Sequence, residues 1–207
     1  MGLAKSCGID AATTRALLVG ARHAVAVKRF DRSGQTRLQA VSAHVALRAA
    51  GEDYGYPQLA QLPRRLAPAE AIRSQQEQLF RRMVLKILID NTEDHERAHA
   101  LQRNADGQFL LSPAFGVVPS AQGLGYQAML VGDQATQSTL VNALSPAHQF
   151  GLKPGAARAV VKEVSTCVAG WKAAFIQAGV LARGVDMLAQ NIDADRLQQQ
   201  RKAFAES

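Results

Sequence analysis

The stretch VLKILIDNTEDHERAHALQRNADGQFLLSPAFG, residues 84–116, decides how the rest of the chain is organised. Its apolar first part predicts the end of a helix, which stops at Asn91 and Thr92. A polar cluster follows, and two short apolar runs separated by the turn residues 104–107 predict a β-hairpin. Because a hairpin returns the chain to its starting point, we expect positions 93, 98 and 116 to meet at one end of it.

The composition is that of an ordinary globular protein. The 207 residues are 47% hydrophobic and 20% charged, which predicts one domain or one lobe of a larger fold. The two cysteines form no framework, so we expect reduced core thiols in a cytoplasmic protein. No run approaches ~20 apolar residues, and the first residues lack the apolar core of a signal peptide, so we expect no membrane segment.

The net charge of +7 favours acidic partners or nucleic acid. However, the basic residues are spread along the chain, and the aromatic content of 5% is too low for stacking platforms. We therefore do not expect a direct nucleic-acid site.

Outside the central stretch the pattern is mostly helical. Two β-like runs at 15–19 and 24–30 predict a hairpin near the start. Apolar periodicity and Gly or Pro stop signals predict helices over 38–50, 58–66 with an interruption at Pro63, 68–89, 139–150 with a break near Pro146, 155–178, 184–191 and 193–204. The predicted fold class is α+β and mostly α.

Four stretches match the pattern of one known family, in the right order. They are GIDAATTRALLVGARHAVAVKRFDR (8–32), LFRRMVLKILIDNTEDHERAHAL (79–101), LLSPAFG (110–116) and FGLKPGAARAVVKEVSTCVAGWKAAFIQAG (150–179). They resemble the last N-lobe strands and hinge, the catalytic loop, the metal loop and the closing helices of HipA-type serine/threonine kinases, the toxins of bacterial toxin–antitoxin pairs. The resemblance implies a helical kinase-like C-lobe over 33–207 and a remnant N-lobe β-hairpin with its hinge over 1–32.

The resemblance fails at the positions that carry kinase chemistry. A catalytic-loop Asp positions the attacking hydroxyl, an Asn five residues later holds a metal ion, and a second Asp holds the other metal contact. Here these positions hold Glu93, Ala98 and Gly116. Ala and Gly have no side-chain oxygen to ligate Mg²⁺, so we expect no metal ligand at either position. Asp94 beside the degenerate base and the loop residue His95 complete the candidate catalytic set.

The resemblance also places a nucleotide hinge at Lys28, Arg29 and Phe30, where an adenine would contact the backbone. The phosphate-covering loop and its lysine are expected upstream of Met1, and no complete G-x-G-x-x-G occurs in the chain. We therefore expect no cofactor, and any residual ATP binding to be weak and independent of magnesium.

A rival motif overlaps the catalytic loop. Residues 95–99 read H-E-x-x-H, the zinc-protease signature, which on a helix places two imidazoles on one face with Glu as general base. The apolar helical run ends at Asn91, however, and no third ligand has protease spacing. Zinc hydrolysis is therefore a remote alternative.

The preferred hypothesis is a truncated HipA-like pseudokinase that acts by binding, in a toxin–antitoxin context. The alternatives are an active or partner-completed ATP-dependent serine/threonine kinase, the zinc hydrolase, and a basic nucleic-acid-binding module. Strands at 15–30 without sheet neighbours would leave an unpaired edge and uncovered apolar surface. We expect a homodimer or a protein partner to cover it, with a HipB-like DNA-binding antitoxin as one candidate.

Overall fold

The computed structural model describes residues 1–120 and 122–205, and within them helices predominate. The elements in chain order are α1 (Gly2–Ser6), β1 (Thr14–Val19), β2 (Arg22–Val27), β3 (Arg32–Ser33), β4 (Thr36–Arg37), β5 (Ala40–Ser42), α2 (Ala43–Ala50), α3 (Tyr56–Leu66), α4 (Ile72–Leu88), β6 (Ala100–Arg103), β7 (Phe109–Leu111), α5 (Leu140–Leu144), α6 (Pro154–Ala169), α7 (Trp171–Gln177), α8 (Ala182–Ile192) and α9 (Asp195–Ala205), with 3₁₀ turns at Ala69–Ala71, Glu96–Ala98 and Ala147–Phe150. The predicted class, α+β and mostly α, is confirmed.

Helix α4 forms the centre of the core. It follows Pro68, as the sequence predicts, and its second half is buried on nearly all sides. A helix that is buried all round must lie inside other elements, and α3 and α6 pack against α4 while α9 packs against both α4 and α6. The rings of Phe80 on α4 and Phe150 meet edge to face at 5.2 Å. In the described part of the chain, no helix has the length and apolar character needed to cross a lipid bilayer.

The sheet beneath the site has three short antiparallel strands in the order β5-β6-β7. The predicted hairpin of β6 and β7 is confirmed, with Leu101 opposite Leu111. Residues 40–42, predicted as the start of a helix, instead form β5, because Val41 pairs with Leu101 of β6. Helix α2 starts one residue later, where the Ser42 hydroxyl accepts a hydrogen bond from Val45 N (3.4 Å).

Two further predictions about helices are wrong. The single helix predicted over 155–178 is two helices, α6 and α7, separated by Gly170. The break lets Trp171 enter the core, where its indole Nε1 donates to Asp193 Oδ1 (2.9 Å). Pro63, expected to interrupt its helix, is buried within a continuous α3.

The first hairpin, β1–β2, is confirmed and stands apart from the core. Its strands pair over six positions, from Thr14 opposite Val27 to Val19 opposite Arg22. The two-residue turn begins at Gly20, whose φ of +60° is the left-handed conformation that such turns require. Every residue of the hairpin strands is exposed except the half-buried Thr14. The division of the chain at residue 32 stays a prediction.

Candidate functional site

The loop after α4 lies against the loop after β7. Asn91 Nδ2 donates to the Gly116 carbonyl oxygen (3.2 Å), and Ser120 N–H donates to the Asp90 carbonyl oxygen (2.9 Å). The Ser120 hydroxyl accepts a hydrogen bond from Glu93 N–H (3.2 Å). The chain segments that carry positions 93 and 116 therefore run side by side.

The three positions aligned with kinase chemistry differ in their surroundings. Glu93 is exposed, and its carboxylate accepts a hydrogen bond from Gln122 Nε2 (2.6 Å). Ala98 is half-buried and closes a 3₁₀ turn by donating its N–H to the His95 carbonyl oxygen (2.8 Å). Gly116 is exposed with φ +66°, and open space surrounds the place where a Cβ would stand. Neither Ala98 nor Gly116 presents a side-chain oxygen to this space.

Asp94 points into the core rather than toward the loop surface. Its side chain is 0% exposed and accepts hydrogen bonds from Lys86 Nζ of α4 and from the Tyr56 hydroxyl of α3. His99 Nε2 lies 2.9 Å from the same carboxylate. These four side chains, Tyr56, Lys86, Asp94 and His99, form what we call the Asp94 cluster, and each has at most 2% of its surface exposed. The cluster fastens the loop after α4 to the helices α3 and α4.

The charges of the Asp94 cluster are set by burial and by mutual contact. Burial alone would raise the pKa of the Asp94 carboxyl, but His99 and Lys86 hold this pKa well below its usual range. Burial lowers the pKa of Lys86 and of His99, an effect that Asp94 opposes in both. A neutral His99 that donates Nε2–H and an ion pair between Lys86 and Asp94 fit these directions. The Asp94 carboxylate is thus satisfied by the protein itself.

A second buried carboxylate lies at the start of the loop. Asp90 is fully buried, has φ +57°, and its Oδ1 binds the guanidinium of Arg196 on α9. Its Oδ2 accepts the backbone N–H of Gly123 (3.0 Å). Because Arg196 and the Gly123 amide occupy its two oxygens, the Asp90 carboxylate, like that of Asp94, has all its partners within the protein.

The H-E-x-x-H residues do not form a helical zinc site. They lie in and beside the 3₁₀ turn Glu96–Ala98, just before β6, with His99 buried in the Asp94 cluster and His95 exposed. Glu96 instead binds His44 of α2, with 2.8 Å between Nδ1 and Oε1. His95 Nδ1 accepts the N–H of Arg97 (3.2 Å). Across residues 1–120 and 122–205, no group of three or more His, Cys, Asp or Glu is placed to hold a metal ion.

The predicted hinge residues lie where β2 leaves the hairpin. Lys28 and Arg29 are exposed, and Arg29 donates two hydrogen bonds to Asp31 (2.7 and 2.5 Å), which lower the pKa of Asp31 to about 2. The half-buried ring of Phe30 stacks on Phe115 with 5.6 Å between centroids. The hinge therefore touches the residue that precedes Gly116. The assignment of nucleotide binding to these residues stays a prediction.

An open cleft of ≈ 450 Å³ lies beside the hinge. Its basic side chains are Lys5, Lys28, Arg29 and Arg32, whereas Asp10 is the acidic one among the lining residues. The cleft is therefore an electropositive surface next to the Phe30–Phe115 stack.

Sequence reasoning missed most of the residues that organise this site. Lys86 carried a signal, because it is a single charge within the apolar run 84–89, and a buried lysine needs a partner. Tyr56 and Arg196 carried none, because they lie far from the loop in sequence. Only the fold brings them to the loop.

Two solved structures resemble this fold. HipA in the Shewanella oneidensis MR-1 toxin–antitoxin complex of HipA, HipB and operator DNA matches with a TM-score of 0.74 and 14% identity, over 100% of this chain and 56% of that chain. The Helicobacter pylori proinflammatory kinase CtkA matches with a TM-score of 0.60 and 12% identity, over 99% and 79% of the two chains. The present chain therefore spans about half the length of that HipA chain, and at these identities the likeness shows the fold.

The family assignment rests on the sequence. The model of the HipA-like C-terminal domain matches residues 1–171. No curated protein matches the sequence. Because the family match extends over most of the chain and follows the order of motifs described above, the predicted resemblance is confirmed, and the protein belongs to the HipA-like C-terminal domain family.

Proposed function

We propose that this protein is a HipA-like pseudokinase, which acts by binding in a toxin–antitoxin context and does not transfer phosphoryl groups efficiently. The observation that carries the proposal is the pair Ala98 and Gly116, which replace the two metal-binding side chains of the kinase pattern. This donor set does not fit Mg²⁺, which requires oxygen ligands. Phosphoryl transfer depends on such cations to neutralise the developing charge.

The carboxylates near the loop support the same proposal. Asp94 is bound by the other members of its cluster, and Asp90 is bound by Arg196 and Gly123. The one exposed acid of the loop, Glu93, accepts a hydrogen bond from Gln122 and is one methylene longer than the Asp of the pattern. Recruiting Asp94 to a metal would leave the buried Lys86 without its counter-charge, which is strongly destabilising.

The binding role is proposed for the β1–β2 hairpin. Residues opposite one another in the register share a face, so Ala16, Leu18, Val25 and Val27 form one largely apolar face. Leu18 is 70% exposed and Val25 is 69% exposed. A two-stranded hairpin is marginally stable alone, and exposed apolar residues on unpaired strands mark sites for further strand pairing. The proposed occupant is a protein partner or a second copy of this chain.

The solved HipA complex suggests which partner to test first. That HipA is bound to HipB and operator DNA, so a HipB-like DNA-binding antitoxin is the proposed partner here. A second candidate function is a kinase completed by another polypeptide. It is favoured by the exposed hairpin, whose strands are available for pairing with another polypeptide.

Restoring the ligands tests the pseudokinase proposal. Isothermal titration and labelled-ATP autophosphorylation of the wild-type chain are expected to show no magnesium-dependent binding and no transfer. The variant Glu93→Asp/Ala98→Asn/Gly116→Asp should gain magnesium-dependent nucleotide binding, because an Asp tolerates the left-handed backbone at 116 better than most residues. The matched control, Glu93→Asp alone, should not gain it.

Two results would count against the proposal. Tight Mg-ATP binding by the wild-type chain, lost in Glu93→Ala, would show that the loop still holds a metal–nucleotide pair. Transfer that begins when products of neighbouring genes are added would favour the partner-completed kinase instead.

A further inference from the structure

Two cysteines from distant parts of the chain meet at one backbone carbonyl. Cys7, at the end of α1, donates its N–H to the Leu3 carbonyl oxygen (3.0 Å). The Cys167 thiol of α6 lies 3.9 Å from the same oxygen. The elements that carry or adjoin these residues, α1 and α6, pack against each other. Both cysteines are reduced in the structure.

The two thiols differ in their access to solvent. Cys7 is 4% exposed, whereas Cys167 is partly exposed. Burial, with a further contribution from Cys167, raises the pKa of Cys7, while the nearby Arg81 acts in the opposite direction. A small oxidant from solvent therefore reaches Cys167 first, whereas the buried Cys7 is protected from it.

We propose that Cys7 and Cys167 are a peroxide-responsive thiol pair, and that their disulfide fastens α1 to α6. In the first step the Cys167 sulfur attacks peroxide, the O–O bond breaks, an S–O bond forms and water leaves, which gives a sulfenic acid. In the second step the Cys7 sulfur attacks the Cys167 sulfur and displaces hydroxide, which leaves as water with the Cys7 proton. The two thiols supply two electrons, and these reduce the peroxide to two waters.

The disulfide would act on the segment that leads to the hinge and the hairpin. Between α1 and β1, the Ala12 N–H donates to the Ala114 carbonyl oxygen (2.9 Å), and the Ala114 N–H donates to the Asp10 carbonyl oxygen (2.8 Å). These bonds join residues 10–12 to the loop that carries Phe115 and Gly116. Fixing α1 on α6 removes freedom from the start of this segment, so its amide hydrogens should exchange more slowly after oxidation.

The test is oxidation of the full chain with hydrogen peroxide, followed by mass mapping. We expect a loss of two hydrogens in the intact mass, a linked pair of peptides containing Cys7 and Cys167, and slower exchange at Ala12 and Ala114. The thermal midpoint should rise by ~5–10 °C, because the cross-link closes a long loop. In Cys7→Ala the sulfenic acid should persist on Cys167 and be trapped by dimedone, whereas Cys167→Ala should give neither product.

Other outcomes would overturn the proposal. They are the absence of the linked peptide in oxidised wild type, equal dimedone trapping on Cys167 in wild type and Cys7→Ala, or unchanged exchange at Ala12 and Ala114 after cross-linking. The wild-type measurements need no substitution, so they decide the matter even if a cysteine variant folds poorly.

Discussion

The Asp94 cluster and the β1–β2 hairpin differ in their burial and in their contacts with the rest of the protein. Tyr56, Lys86, Asp94 and His99 are almost completely buried and joined to one another. The hairpin is exposed on both faces, and among the described residues its strands pair only with each other. The loop is therefore fixed by buried contacts beneath positions that lack ligand oxygens, whereas the hairpin strands leave apolar side chains exposed. This difference predicts that changes in the cluster affect stability and changes in the hairpin affect association.

Removing the buried cation should have the largest effect. Lys86→Ala leaves the Asp94 carboxylate buried beside His99 without its ion-pair partner, and such losses cost about 3–5 kcal/mol of the free energy of unfolding. Urea titration monitored by circular dichroism measures this change. The matched control is Lys162→Ala, an exposed lysine on α6, which should change the same quantity by less than about 0.5 kcal/mol. Equal effects of the two substitutions would show that the cluster does not hold the loop.

Acidification should destabilise the folded protein through the Asp94 cluster, by a smaller amount than Lys86→Ala does. Burial lowers the pKa of His99 below its ordinary value of about 6.5. Between the pKa of His99 in the folded chain and its higher pKa in the unfolded chain, the unfolded chain binds a proton that the folded chain does not. The free energy of unfolding therefore falls as the pH falls from 7 towards 5. The slope from this one group is at most about 1.4 kcal/mol per pH unit. Asp94, whose folded pKa is also lowered, adds a loss only below about pH 4.

Two histidine variants test this assignment. His99→Gln keeps an N–H donor for Asp94 but cannot titrate, so the free energy of unfolding should become flatter between pH 7 and pH 5. His23→Gln changes an exposed histidine of β2 and should leave the slope as in the wild type. A slope that survives in His99→Gln would mean that other groups cause the acid sensitivity.

The smallest effect on stability is expected in the hairpin. Leu18→Lys replaces a residue that is 70% exposed, so it should change the free energy of unfolding by less than about 0.5 kcal/mol. The same change should weaken self-association or binding of a HipB-like antitoxin about tenfold or more, which corresponds to about 1.4 kcal/mol. Sedimentation and titration with the antitoxin measure the association.

A matched surface control locates the effect. Met187 on α8 is 68% exposed and lies outside the hairpin, so Met187→Lys should leave association unchanged. If Met187→Lys weakens association while Leu18→Lys does not, the interface lies on the helical side, and the proposed role of the hairpin is wrong.

Local signals predicted most of the fold. Pro68 and the apolar spacing after it indicated α4, and Gly20 and the turn at 104–107 indicated the two hairpins. The three-residue strand β5 was missed because its only cause is pairing with β6, about sixty residues further along the chain. The break at Gly170 was missed because the apolar face continues through Trp171 and Phe175, and the tertiary contact of Trp171 with Asp193 decides the geometry.

The candidate site was predicted less completely. Alignment with the family pattern identified positions 93, 98 and 116 by residue type alone. It did not indicate that Asp94 turns inward, because the partners that hold it, Tyr56 and Lys86, belong to other helices. Residue type can report a lost ligand, whereas the supporting contacts depend on packing.

The ion pair of Arg196 with Asp90 has a practical consequence for gene design. The family match ends at residue 171, yet α9 begins at Asp195 and supplies the guanidinium that neutralises a fully buried aspartate. Arg201 from the same helix donates to the carbonyl oxygens of Leu88 and Ile192 (3.4 and 2.6 Å). An expression clone that ends at residue 171 would therefore lack the arginines of α9 that bind Asp90 and the end of α4. Aggregation of such a clone would result from the missing helix and would not describe the behaviour of the full chain.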